Sequence, residues 1–174
     1  MIEVETKYKL DEQQERILIE DATLLHKVVN VDTYYDDDTL SVTTNDHWLR
    51  KRNGKFEYKQ RLHTLGHKLE GTSYSELETE AEIRKVLKLS PKKSLEEDIL
   101  AAGYKPFATL ETNRRSYKRG DYRIDLDECD FGYTLAEIEL LIKNESGREA
   151  ALDQIKKFAT DIGLDQTLIR GKVT

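Results

Sequence analysis

The 174-residue sequence predicts an α+β fold, an antiparallel sheet with helices packed against it. Three observations carry that prediction. Seven runs alternate apolar and polar residues with period two, the pattern of strands. Two tight-turn dipeptides, Asn53-Gly54 and Gly120-Asp121, each join two such runs, which makes those neighbours antiparallel. Four stretches with helical spacing of apolar residues fill the gaps. No segment repeats and only two prolines occur, so one domain spanning residues 1–174 is expected.

In chain order, the first strand covers residues 2–10 and a helical pattern follows over 11–20. Strands are expected at 31–35, 47–52 and 55–62, the last two flanking Asn53-Gly54. A helix over 76–89 carries Leu77, Ile83, Val86 and Leu87 at helical spacing. Residues 94–102 form a shorter one, with Ser94 and Glu97 in capping-box spacing and Gly103 as the stop. Strands 107–118, 121–127 and 133–142 come next. The last helix, 148–162, lies between Gly147 and Gly163 and aligns Leu152, Ile155, Phe158, Ala159 and Ile162 on one face.

Charged residues make up 36% of the chain, against roughly 25% in an ordinary domain, and that excess has to be placed somewhere. Residues two apart on a strand share a face. Glu3, Glu5 and Lys7 therefore lie opposite Ile2, Val4 and Tyr8, and Glu57, Lys59 and Arg61 opposite Phe56 and Tyr58. Trp48, Arg50 and Arg52 share a face, as do Arg123, Asp125 and Asp127, and Glu137 with Glu139. Periodicity alone allows two arrangements. The ionic faces are either the solvated side of an open sheet or the polar lumen of a closed barrel whose apolar outside is covered by helices. Acids gather on some strands and bases on others, which an outer surface does not need.

Several function classes are excluded or weakened. The net charge of −6, with no basic block, argues against nucleic-acid binding. No apolar run approaches the roughly 18 residues of a membrane span. Residues 1–10 are charged from the start, so a cytoplasmic protein without membrane contact is expected. The single cysteine, Cys129, cannot form an internal disulfide and reads as a packed thiol. His63 and His67 fall in a Gly-containing loop, the run Asp36-Asp37-Asp38 reads as a solvated turn, and no glycine-rich phosphate loop is present.

The ionic faces suit a polyphosphate. Hard cations such as Mg²⁺ or Mn²⁺ prefer carboxylate oxygens together with substrate phosphates, and Arg and Lys grip phosphate oxygens. Phosphoryl transfer depends on positioning and charge stabilisation, so it needs no nucleophilic Ser or Cys. Trp48, although a single tryptophan is most often a core residue, shares its face with Arg50 and could stack on a cationic or aromatic ligand.

The opening Glu3-Val4-Glu5-Thr6-Lys7 resembles the ExExK signature of the CYTH superfamily, the triphosphate tunnel metalloenzymes, and the likeness runs along nearly the whole chain. Asp32-Thr33-Tyr34-Tyr35-Asp36, then Asp46-His47-Trp48-Leu49-Arg50-Lys51-Arg52, is similar to stretches of animal thiamine triphosphatases. So is the ordered set Arg123-Ile124-Asp125-Leu126-Asp127, Asp130-Phe131-Gly132-Tyr133 and Glu137-Ile138-Glu139.

The resemblance implies a closed eight-stranded antiparallel β-barrel with a polar lumen and helices packed outside. By the family pattern Glu3, Glu5, Asp125, Asp127, Glu137 and Glu139 would hold Mg²⁺ or Mn²⁺, with Glu3, Glu5 or Asp125 activating the attacking water. Lys7, Arg50, Arg52, Lys59 and Arg115 would bind the triphosphate, and Lys172 would belong to a C-terminal segment closing over it. Arg114 is the neighbour that could be confused with Arg115, and Glu76 matches a further acidic position. Trp48 would pack against thiamine. The chain ends at Thr174, sooner after Lys172 than relatives do, so that closing segment is expected to be incomplete. The activity implied is a monomeric, metal-dependent hydrolase removing the terminal phosphate of thiamine triphosphate. An inorganic triphosphatase would use the same charges without Trp48, a cyclase making cyclic AMP is a more distant option, and a non-catalytic phosphate-binding module would keep the fold without turnover.

Overall fold

Strand β1 (Ile2–Tyr8) opens the chain, followed by α1 (Glu12–Ile19), β2 (Thr23–Asp36), β3 (Trp48–Arg52), β4 (Lys55–Arg61) and β5 (Thr72–Leu77). Helices α2 (Glu80–Val86) and α3 (Leu95–Ala101) precede β6 (Lys105–Arg119), β7 (Tyr122–Cys129), β8 (Thr134–Ile142) and α4 (Arg148–Asp161). This computed structural model describes residues 2–62, 72–164 and 172–173. The loop expected around His63 and His67 lies outside them. The strands hydrogen-bond in the order β1-β5-β4-β3-β2-β6-β7-β8, and the ring is closed. Closure removes the free edges an open sheet would leave, and it decides between the two arrangements that periodicity allowed. Among the described residues no helix is long and apolar enough to cross a membrane.

Among the described residues the chain forms two compact units, one of residues 2–29, 72–73, 112–164 and 172–173, the other of 30–62 and 74–111. In the first, β8 pairs with β1 and with β7, and β7 with β6, all antiparallel. Their apolar faces, with Val4, Tyr8, Ile124, Leu126, Ile138 and Leu140, pack on Leu152, Ile155 and Ala159 of α4 and on Leu18 of α1. Tyr122 stacks on Phe158 at 4.3 Å. Ile138 and Ile155 are fully buried, so truncating either to Ala should cost about 2–5 kcal/mol. Helix α1 starts at a capping box formed by Asp11 and Gln14, and its final carbonyls at Ile17 and Leu18 accept from Arg119. Gly163, at φ 75°, supplies the left-handed residue just beyond α4.

In the second unit β3 pairs with β2 and β4, and β4 with β5. Asn53 and Gly54 both take positive φ, the geometry of a type I′ hairpin. Tyr35, Leu49, Phe56 and Tyr58 form the apolar face, covered by Ile83 of α2 and by Leu95 and Ile99 of α3. Arg84 of α2 donates to Asp98 of α3 and joins the two helices.

Three expectations are corrected here. Residues 72–77 form β5, whereas a helix was expected from residue 76; the helix begins at Glu80 because Thr79 and Glu82 build a capping box. Strand β2 is 14 residues long, far beyond 31–35. Its first half is largely exposed and carries adjacent apolar pairs, Leu24-Leu25 and Val28-Val29, that hide the alternation. Asp36 is not part of a solvated turn: it is 3% exposed and accepts from the backbone N–H of Asp37, Val42 and Thr43 and from the Thr43 hydroxyl. It pins the loop that leads to β3.

Candidate active site

In the first unit, pairing aligns the acids in rows. Glu5 stands opposite Glu139, Lys7 opposite Glu137, Glu137 opposite Asp125, and Asp127 opposite Arg114. Glu5, Asp125, Asp127, Glu137 and Glu139 are all buried, which a solvated outer face would not produce. Oxygens of Glu3, Glu5 and Glu139 lie within 4.8 Å of one another, as do those of Asp125, Glu137 and Glu139. Glu139 is common to both groups.

Cations are threaded between these acids. Lys7 pairs with Glu5 and lies 3.4 Å from Glu137. Arg114 donates to Asp125 at 2.5 Å, to both oxygens of Asp127 at 2.7 and 2.6 Å, and to Glu137 at 2.8 Å. Arg123 donates to Asp125 at 3.2 Å and lies 3.8 Å from Glu139, while Lys172 pairs with Asp127. The consequences differ by residue. Burial pushes the Glu137 carboxyl up, but Lys7, Arg114 and Lys172 outweigh both that and the repulsion of Glu5, bringing it down to about 2. For Glu139, burial and then the charges of Glu3, Asp125, Glu137 and Glu5 act in the same direction, holding its carboxyl well above the usual range. Burial opposes the charge on Arg114, yet Asp127, Glu137 and Asp125 hold its guanidinium firmly protonated.

The donor set fits a hard divalent cation. It consists of carboxylate oxygens alone, and their mutual repulsion at Glu139 is what a cation would relieve. Asp127 is placed differently from the other five expected ligands: it belongs to neither carboxylate group, and its oxygens pair with Arg114 and Lys172.

The second unit carries three of the expected bases, Arg50, Arg52 and Lys59, each beside an acid. Arg50 donates to Glu57 at 2.7 Å and lies 3.8 Å from Glu76. Arg52 forms a two-pronged pair with Asp32 at 2.6 and 2.7 Å. Lys59 lies 3.8 Å from Glu76 and 4.4 Å over the ring of Tyr74. Burial works against the charge of Arg50, and Tyr34, Glu57, Asp32 and Glu76 together raise its pKa nonetheless. Trp48 is half-buried, paired in register with Lys59 and edge-on to Tyr34 at 6.0 Å.

Arg115 is a correction. Its side chain is on the other face of β6, 2.9 Å from Glu15 of α1, in a groove that Leu10 and Lys27 also line. Arg114 stands among the acids instead. The reason was legible in the turn: the two-residue hairpin at Gly120-Asp121 pairs Arg119 with Tyr122 and, counting back, Arg114 with Asp127. Asp32 and Asp46 were missed as members of the second group. Asp32 follows from strand parity, since it pairs across β2 and β3 with Arg52, whereas Asp46 is placed by a loop that has no period.

Comparison with known proteins places this arrangement. The CYTH domain is matched over residues 1–170. The chain belongs to the CYTH family. This CYTH protein is 33% identical over 183 residues to the thiamine-triphosphatase of Macaca fascicularis, covering 94% of this chain and 78% of that one. The human thiamine-triphosphatase is 31% identical over 182 residues with the same coverage. Among solved structures, a protein of Pyrococcus horikoshii is similar with a TM-score of 0.69 at 20% identity, covering 94% of this chain and 92% of that one. A Hippeastrum adenylyl cyclase candidate described as having a dominant triphosphatase activity has a TM-score of 0.60 at 15% identity, with 99% of this chain and 92% of that one covered. At these identities the two structures share the fold.

Proposed function

We propose that this CYTH protein is a metal-dependent triphosphatase that hydrolyses thiamine triphosphate to thiamine diphosphate and phosphate. The observation that carries the reading is the buried carboxylate group joined at Glu139, in a chain about one-third identical to thiamine-triphosphatases along 94% of its length. Glu3, Glu5, Asp125, Glu137 and Glu139 would hold Mg²⁺ or Mn²⁺, with Asp127 assigned to steering Arg114 and Lys172. When bound, the cation would neutralise charge developing on phosphate oxygens.

The chain's own residues supply the remainder. Arg50, Arg52 and Lys59 bind phosphate oxygens, the guanidiniums in two-pronged fashion and the ammonium as a point charge. Lys7 and Arg114 keep Glu137 ionised: Lys7 is the first cation to lower it against burial, and Arg114 is the next. A carboxylate of Glu3, Glu5 or Asp125 accepts a proton from the attacking water. The water oxygen bonds to the terminal phosphorus, the bridging P–O bond breaks, and thiamine diphosphate leaves with the bond's electrons. Trp48 packs against the cationic thiazolium ring.

Phosphate release with and without Mg²⁺, from thiamine triphosphate, inorganic triphosphate and ATP at matched concentration, tests the reading. Metal-dependent release with thiamine triphosphate preferred is expected. Preference for inorganic triphosphate would overturn the substrate, and no release from any of the three would overturn catalysis.

A further inference from the structure

One carboxylate in the second unit collects donors from three chain segments. Asp46 Oδ1 accepts from the indole Nε1–H of Trp48 at 3.1 Å and from the Tyr74 hydroxyl at 3.2 Å, while Oδ2 pairs with Arg61 Nη1 at 2.9 Å. Trp48 starts β3, Arg61 ends β4 and Tyr74 lies on β5, where it pairs in register with Arg61. Asp46 itself belongs to none of these strands. It closes a short 3-10 turn, Thr43–Asn45, with φ 55°, and its backbone N–H donates to Thr43 at 2.9 Å. Left-handed backbone is uncommon outside glycine, although Asp tolerates it better than most. That turn is in turn pinned by buried Asp36 through the N–H groups of Val42 and Thr43.

We propose that Asp46 is a positioning residue: it fixes the indole plane of Trp48 through the Nε1–H bond and thereby sets the preference for a substrate bearing a cationic aromatic ring over inorganic triphosphate. This rests on the functional reading above. A cation–π contact depends on the ring presenting its face, and an indole free to turn about its side-chain torsions loses that face for part of the time. Tyr34 meets Trp48 edge-on at an interplanar angle of 84° and supports it from one side. The bond to Asp46 supplies a directional constraint at the indole nitrogen, and Arg61 and Tyr74 keep the carboxylate from swinging away.

Trp48 is the only tryptophan, so its fluorescence anisotropy reads ring mobility directly. Wild type, Asp46→Ala and Asp46→Asn would be compared by anisotropy without substrate and by kcat/KM on thiamine triphosphate and inorganic triphosphate. Asp46→Ala should lower the anisotropy and cut the ratio of the two kcat/KM values about tenfold. Asp46→Asn, whose amide oxygen still accepts from the indole, should retain most of both. In a Trp48→Phe background, which lacks the N–H, Asp46→Ala should lower the ratio no further. Should Asp46→Ala not fold, Asp46→Gly suits the left-handed backbone and takes its place. An equal loss on both substrates, or an unchanged anisotropy, overturns the proposal. A wild type that shows no preference for thiamine triphosphate breaks the functional reading and the selectivity part with it, while anisotropy still decides whether Asp46 holds the ring.

Discussion

The two units solve the problem of buried charge in different ways. In the first, four cations, Lys7, Arg114, Arg123 and Lys172, are distributed among crowded carboxylates, and Arg114 alone touches three of them. In the second, three arginines each have an acid at hydrogen-bond distance, Arg50 with Glu57, Arg52 with Asp32 and Arg61 with Asp46, while Glu76 lies 3.8 Å from both Arg50 and Lys59. Burial and then crowding by neighbouring acids push Glu139 up, and a divalent cation suits such a group. A two-pronged pair such as Arg52–Asp32 can exchange partners, since a phosphate offers the same geometry. The contrast teaches that ionic strand faces can be balanced by shared or by paired charges; on the proposed function the shared set holds metal and the paired set phosphate.

That contrast can be broken most severely at Arg114. Arg114→Ala leaves Asp125, Asp127 and Glu137 without their common partner, and loss of about 3–5 kcal/mol is expected in denaturant unfolding. Asp125→Asn should keep the fold and lower phosphate release on the order of 100-fold, and a wild-type rate would remove Asp125 from catalysis. In the second unit Arg52→Ala should raise the Michaelis constant for thiamine triphosphate about tenfold, and unchanged kinetics would take Arg52 out of the phosphate site.

A pH comparison sharpens the difference further. Burial raises Asp98, but Arg84 and the N–H groups of Lys92 and Lys93 outweigh it and lower its carboxyl below the usual range. A depressed carboxylate contributes stability that is fully present above the unfolded value, near pH 4, and is lost as pH falls through the folded one. The gap in melting temperature between wild type and Asp98→Asn should therefore be widest at neutral pH and close in strong acid. The smallest effect is expected at Arg115→Ala, where an exposed pair with Glu15 is worth at most about 1 kcal/mol. A large loss there would return Arg115 to the site.

Much of the site was legible along the chain. The ExExK opening placed Glu3, Glu5 and Lys7 on one face because period two leaves no alternative, and β7 and β8 follow the same rule. What was misread has physical causes. β5 lies just before Thr79, and Leu77 matched the spacing of the helix that follows, so strand and helix periods overlapped. Arg114 and Arg115 are adjacent, and only the hairpin register separates the face that meets Asp127 from the face that meets Glu15. Asp46 carries no periodic signal, because it owes its place to a loop pinned by Asp36.

Sequence alone determined the strands with clean alternation, the antiparallel hairpins at Asn53-Gly54 and Gly120-Asp121, the capped helix at Ser94 and the family. These follow from local rules: side-chain direction, positive φ at turns and hydrogen bonding at helix ends. Tertiary structure alone decided that the sheet closes and that the ionic faces are buried. It also decided which carboxylates share Arg114 and that Asp46 gathers Trp48, Arg61 and Tyr74. Those outcomes depend on contacts between segments distant in the chain, whose energy comes from covering apolar faces with α1 to α4 and from pairing charges once water is excluded.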